Sequence, residues 1–253
     1  MKDATKRFSD RVDNYIKYRP GYPTELLQAL LEKSGLGKEA VIADIGSGTG
    51  ILTRLLLELN PTVIGVEPNA NMREAAESLL SDYPGFTSID APAEQTGLDD
   101  DSVDLITAAQ AFHWFNNAET KSEFRRILKP DGKLALIWNR RDVNQPFQQA
   151  YDAILKIYAP EYGVVNHMNL TEADLAGFFS PGQMEVSRYD YSQQLTFADL
   201  LGRLKSSSYC PPESSPQYPS LVAELAAPFE QFALNGKIDF QYQTELYFGP
   251  MGQ

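Results

Sequence analysis

Histidine and cysteine are scarce in this chain: of 253 residues, two are histidine and one is cysteine. Cys210 has no second cysteine to join, so no intrachain disulfide can form, and a reducing, intracellular compartment is expected. With His113 and His167 as the only imidazoles, a metal centre has few nitrogen or sulfur ligands to draw on, and metal catalysis is not expected. Positive charge is also in short supply, 22 Lys and Arg against 34 Asp and Glu, for a formal net charge of −12. A surface of that sign repels phosphate backbones, and no Lys/Arg cluster offers a local groove, which argues against a nucleic-acid partner. Long apolar runs are missing as well. MKDATKRFSDRVDNYIKY lacks the uninterrupted core of a signal peptide, and no window approaches a membrane span, so a cytoplasmic location with no membrane partner is expected. There is no internal repeat and no low-complexity tract, and one domain over 1–253 is expected.

What is present is enough apolar residue, 43% of the chain, to bury a core. The stretch that organises the rest is VIADIGSGTG, Val41 to Gly50: an apolar run, an acid, then three glycines before a helical pattern opens at Ile51. This reads as strand, tight turn and helix. Glycine suits such a turn because a Cβ would block a positive φ and the close approach of a ligand, and the helix start presents N–H groups and partial positive charge. The dinucleotide pattern G-x-G-x-x-G needs a third glycine or alanine where Ile51 stands. A second apolar run, Thr62 to Val66, ends in Glu67, about 20 positions beyond the turn, where an acid can accept hydrogen bonds from a ribose diol. That supports an adenosine ligand, nicotinamide dinucleotide included. Met72 just beyond offers a polarizable face to an aromatic base.

Further strands are predicted at Phe86–Ile89, Val103–Thr107, Leu134–Trp138, Met184–Leu195 and Ile238–Phe248, a turn at Lys129–Lys133, and helices at Glu119–Lys129, Pro146–Tyr158, from Thr171, at Thr196–Lys205 and at Leu221–Leu234. Ahead of the first strand, Phe8, Val12, Tyr15, Ile16 and Arg19 share a helical face that Pro20 and Pro23 punctuate, and a second helix covers Glu25 to Lys33. These helices belong to no βαβ unit and are free to form a lid. Asp99–Asp101 is a solvated turn, without the spaced ligands of a calcium loop.

Asp44-Ile45-Gly46-Ser47-Gly48-Thr49-Gly50 resembles motif I of the class I S-adenosylmethionine-dependent methyltransferases. Tyr18-Arg19-Pro20-Gly21-Tyr22-Pro23 and the run AQAFHWF at 109–115 are similar to the YRPxYP signature and aromatic wall of the trans-aconitate-methyltransferase-like branch. The resemblance covers residues 8–140. It implies a three-layer αβα sandwich around a Rossmann-like, seven-stranded, mostly parallel sheet in the order 3-2-1-4-5-7-6 with the last strand antiparallel. The order of elements along the chain gives the expected division: a helical lid over 1–36, a cofactor-binding core over 38–140, a substrate cap over 141–181, where the regular rhythm stops, and the C-terminal part of the sheet over 182–253. The implied activity is methyl transfer from S-adenosylmethionine to a small-molecule acceptor, by a monomer or homodimer. Around the cofactor the resemblance places Tyr15, Arg19, Asp44, Gly46, Ser47, Gly48, Gly50, Glu67, Pro68, Met72, Ala93, Glu94, Gln110 and Ala111, with Arg19 pairing the cofactor's carboxylate. Pro92 stands where relatives carry an aspartate for the adenine amino group, so Ala93 with Glu94 or Asp90 must substitute. Trp114, Asn139 and Arg140 are placed on the substrate, Arg140 or Arg141 being suited to an acidic one. His113 and Tyr18 are the catalytic candidates; His113 can equally touch substrate or orient its loop. A non-catalytic S-adenosylmethionine-binding protein and a nicotinamide-dependent oxidoreductase remain the alternatives.

Overall fold

The computed structural model describes residues 12–37, 39–59, 62–163 and 170–252; Phe8 and His167 lie outside them. Two helices, α1 (Val12–Tyr18) and α2 (Thr24–Ser34), precede the sheet. They are split at Arg19–Pro23, and α2 ends at Gly35, whose φ of 63° supplies the left-handed cap. Then strands and helices alternate: β1 (Ile42–Ile45), α3 (Ile51–Leu57), β2 (Val63–Val66), α4 (Ala70–Leu79), β3 (Phe86–Ile89), β4 (Val103–Ala109), α5 (Ala118–Ile127) and β5 (Leu128–Arg141). Helices α6 (Pro146–Tyr158) and α7 (Glu172–Phe179) interrupt the rhythm before β6 (Glu185–Leu195), α8 (Phe197–Lys205), α9 (Gln217–Phe232) and β7 (Ile238–Gly249).

The seven strands form one sheet in the order β3-β2-β1-β4-β5-β7-β6, as expected. Strands β1 to β5 are parallel, and β7 runs antiparallel between β5 and β6. Several boundaries differ from expectation, two of them by four residues or more. Strand β5 already begins at Leu128, which pairs with Val103, and the Lys129–Lys133 turn becomes an irregularity within it rather than a break before it. Helix α9 starts four residues early, at Gln217, because the Ser215 hydroxyl accepts the Gln217 N–H and anchors its first turn.

Each face of the sheet carries a core. On one, Leu26, Leu30, Leu52 and Leu56 of α2 and α3 meet Ile42, Val63 and Ile137. On the other, Phe124, Phe178 and Phe179 of α5 and α7 meet Ile106, Leu136 and Trp138. A third cluster joins α6, α8 and α9 to Phe240 and Tyr242 at the start of β7. Antiparallel pairing sets that start beside the C-terminal end of β5, Arg141 opposite Tyr242. The ends of β1, β4 and β5 therefore open onto space bounded by the lid helices and by the third cluster.

Candidate functional site

Gly46, Gly48 and Gly50 all adopt positive φ, 70°, 59° and 80°. A Cβ on Gly46 would lie 2.6 Å from that of Ala111, and one on Gly50 2.8 Å from Leu80 Cδ1, whereas Gly48 faces open space. Two of the glycines thus let neighbouring segments close on the turn, and the third leaves room beside it. The turn is also fastened to β2. The N–H groups of Gly46 and Ser47 donate to Val66 O at 2.8 and 3.2 Å, that of Gly48 to Glu67 Oε2 at 3.0 Å, and that of Gly50 to Ser47 O at 3.0 Å. The free N–H array expected at this turn is therefore largely consumed within the protein. Its contribution to a ligand is shape.

A cavity of about 260 Å³ opens above it. Gly46 and Gly48 form one side, Glu67, Pro68 and Met72 the next, and Ala93, Glu94, Gln110 and Ala111 the far wall. Glu67 accepts N–H bonds from both Gly48 and Asn69, and burial still holds its carboxyl above the usual range. Met72 is drawn inward because Asn69 caps α4, its side chain accepting the Met72 N–H. Glu94 accepts from Asn117 Nδ2 at 2.8 Å, and Asp90 turns away to Arg73. Beneath the turn, in a narrow crevice of about 30 Å³, Asp44 meets Ser47 and Tyr22. Its carboxylate accepts from the hydroxyls of Thr53 and Thr107 at 2.7 and 2.8 Å, and burial raises its pKa to about 6.

A second cavity, of about 90 Å³, adjoins the first, and Tyr15, Gln110 and Trp114 line both. Gln110 holds a φ of 59°, a left-handed conformation that costs a residue with a side chain on the order of 1 kcal/mol or more. Its N–H is tied to Ile137 O at 2.8 Å. His113 also lines the second cavity, and burial pulls its pKa down to about 4, leaving a neutral imidazole at neutral pH.

Four of the expected assignments change. Tyr18 reaches neither cavity; its ring packs where a Cβ of Gly202 would be, joining α1 to α8. Arg140 points to the opposite face of β5, paired with Glu245, because neighbouring strand residues face opposite ways. It is Arg141 that lines the second cavity. Arg19 lies there too, not at the glycine turn: its guanidinium stacks 4.7 Å from the Tyr15 ring centre and donates to Ser206 O at 2.8 Å. Asn139 lines the same cavity, but its amide is committed, donating to Gly21 O and accepting from Thr244. Arg203, Tyr162, Tyr209 and Tyr242 complete the walls and had no sequence signal. Three of these come from α8, the turn after it and β7, so the roof is built as much from the C-terminal part of the sheet as from the expected cap.

Comparison with known proteins agrees with this geometry. A family described as "Methyltransferase domain" matches residues 43–136, which span the turn, Glu67 and the 109–115 segment. An uncharacterized methyltransferase-like protein of Schizosaccharomyces pombe is 28% identical over 243 residues, 94% of this chain and 93% of the relative. An uncharacterized methyltransferase of Mycobacterium tuberculosis is 36% identical over 141 residues, 56% of this chain and 55% of its own length. A solved structure from Anaeromyxobacter dehalogenans, described as a type II methyltransferase, shares the fold with a TM-score of 0.72 at 22% identity, covering 93% of this chain and 99% of that one. These relatives name the family and no branch of it. The glycine turn that shapes the first cavity lies inside the matched methyltransferase domain, and the domain, the relatives and the shared fold together support a class I S-adenosylmethionine-dependent methyltransferase.

Proposed function

We propose that the first cavity takes S-adenosylmethionine and the second a small-molecule methyl acceptor. The observation that carries this reading is the shared wall: Tyr15, Gln110 and Trp114 face both spaces, so a donor and an acceptor on either side would meet there. The residues present suit the cofactor. Gly48 leaves the turn open, Glu67 offers carboxylate lone pairs to a ribose diol, Met72 a soft apolar face, and Asp44 a buried negative charge to an ammonium group. Bound there, the cofactor supplies a methyl carbon already activated by a sulfonium leaving group. The protein's contribution is then alignment and exclusion of water, with reacting atoms held at roughly 3–3.5 Å. Tyr15 and Pro20 close the space from the lid side. Where the acceptor is an alcohol or amine, His113 is the group placed to receive its proton, being neutral and in the cavity wall.

Thermal melting with S-adenosylmethionine, S-adenosylhomocysteine, NAD or NADP at matched concentrations tests the donor site. Saturation at 100 times Kd adds about 2.7 kcal/mol and raises Tm by several degrees. The two sulfur compounds alone should do so. A shift with NAD alone would overturn the reading, and turnover on a panel of metabolites separates an enzyme from a cofactor-binding protein without activity.

A further inference from the structure

The second cavity gathers positive charge in a chain whose net charge is −12. Arg19, Arg141 and Arg203 line it, and among the described residues no aspartate or glutamate does. Arg203 is 5% exposed; its Nε donates to the Tyr242 hydroxyl at 2.5 Å, and its guanidinium lies 4.6 Å from the Phe240 ring centre. Among the described residues it has no carboxylate partner, and its Nη1 is buried without a hydrogen bond. Arg19 is likewise without a carboxylate, its Nε buried and unmatched. Arg141 donates to the Tyr162 hydroxyl, which donates on to Asp152. Asp152 stands 4.0 Å from Arg141 but 2.6 Å from Lys156, so it neutralises Arg141 incompletely. Burial pushes the Tyr209 phenol up, yet Arg141 and Arg203 outweigh it and hold that hydroxyl below its ordinary value. A buried guanidinium with an unmet donor is unfavourable unless an anion meets it.

We propose that these arginines form an oxyanion site, and that the acceptor is a small organic acid or phosphate monoester held there by its anionic group. This rests on the reading of the first cavity as the donor's site. Arginine forks match carboxylate and phosphate oxygens in pairs. Oxygens so engaged are poor nucleophiles, so the anion is the handle, and a second group of the acceptor faces Gln110 and Trp114.

The test is binding of succinate, inorganic phosphate and the neutral succinamide at matched ionic strength, with and without S-adenosylhomocysteine, by calorimetry and melting. Wild type should bind at least one anion and not succinamide; the tighter anion distinguishes carboxylate from phosphate. Arg203→Met and Arg141→Met should weaken that binding at least tenfold, and the exposed Arg54→Met should not change it. Arg203→Lys keeps the charge without the fork and should fall between, which covers a Met variant that fails to fold. No anion binding, equal binding of succinamide, or undiminished binding in the Arg203 and Arg141 variants would overturn the proposal. Anion binding as expected with no response to S-adenosylhomocysteine would instead overturn the donor site and leave the oxyanion site standing.

Discussion

At the scale of single residues, Asp44 and His113 load one pH window in opposite directions. Burial raises Asp44 from 3.8 to about 6, so the stability its proton brings is full below pH 3.8 and lost as pH rises through about 6. Burial lowers His113 from 6.5 to about 4, so the stability of its neutral form is full above pH 6.5 and lost as pH falls through about 4. Each is worth about 3 kcal/mol by linkage, and in the wild type the two largely cancel. Denaturant melts should show stability falling from pH 4 to 6 in His113→Asn and climbing from pH 4 to 6.5 in Asp44→Asn. Parallel profiles in the two variants would mean that neither group titrates there. Glu67→Ala should weaken S-adenosylhomocysteine binding by about 1–3 kcal/mol, the usual effect of losing charge-assisted hydrogen bonds. Unchanged affinity by calorimetry would remove Glu67 from the site.

Between elements, the contact that decides the lid is α1 against α8. The Tyr18 ring occupies the space a Cβ of Gly202 would need, and Tyr15, one turn earlier on α1, lines both cavities. Gly202→Leu should therefore cost about 1–3 kcal/mol through overpacking and raise KM for both donor and acceptor by displacing α1. Tyr18→Phe should keep kcat, since its hydroxyl reaches neither cavity. A large loss of kcat in Tyr18→Phe would return that phenol to the chemistry. The alternation of β5 is as decisive. Asn139 and Arg141 line the second cavity, and Arg140 between them goes to Glu245, which Arg188 and Tyr247 also approach.

For the whole molecule, β7 is the element on which the second cavity depends. It completes the sheet between β5 and β6, brings Tyr242 to Arg203, and anchors the third core through Phe240. Removing residues 238–253 leaves the facing edges of β5 and β6 without their ladder. The truncated chain should lose cooperative unfolding by calorimetry and circular dichroism. A cooperative transition that still responds to S-adenosylhomocysteine would show that the first five strands suffice for the donor site.

The order of the sheet was implied by the family resemblance alone, whereas strand, turn and helix around Gly46–Gly50 and Glu67 at the next strand end were legible in the sequence itself. They rest on local rules: positive φ demands glycine, a buried parallel strand demands an apolar run, and an acid at a strand end stays in place because the strand does. The first cavity is assembled mostly from such strand ends and the turns that follow them. The second is not. Arg19, Arg141, Arg203 and Tyr242 are spread over more than 220 positions, and no period or spacing links them. Tertiary structure decided their meeting, because the antiparallel insertion of β7 and the packing of Tyr18 on Gly202 carry α1, α8 and β7 to the end of β5. The chain's composition determined an acidic protein; only the folded chain brings three of its arginines, Arg19, Arg141 and Arg203, to the wall of one cavity.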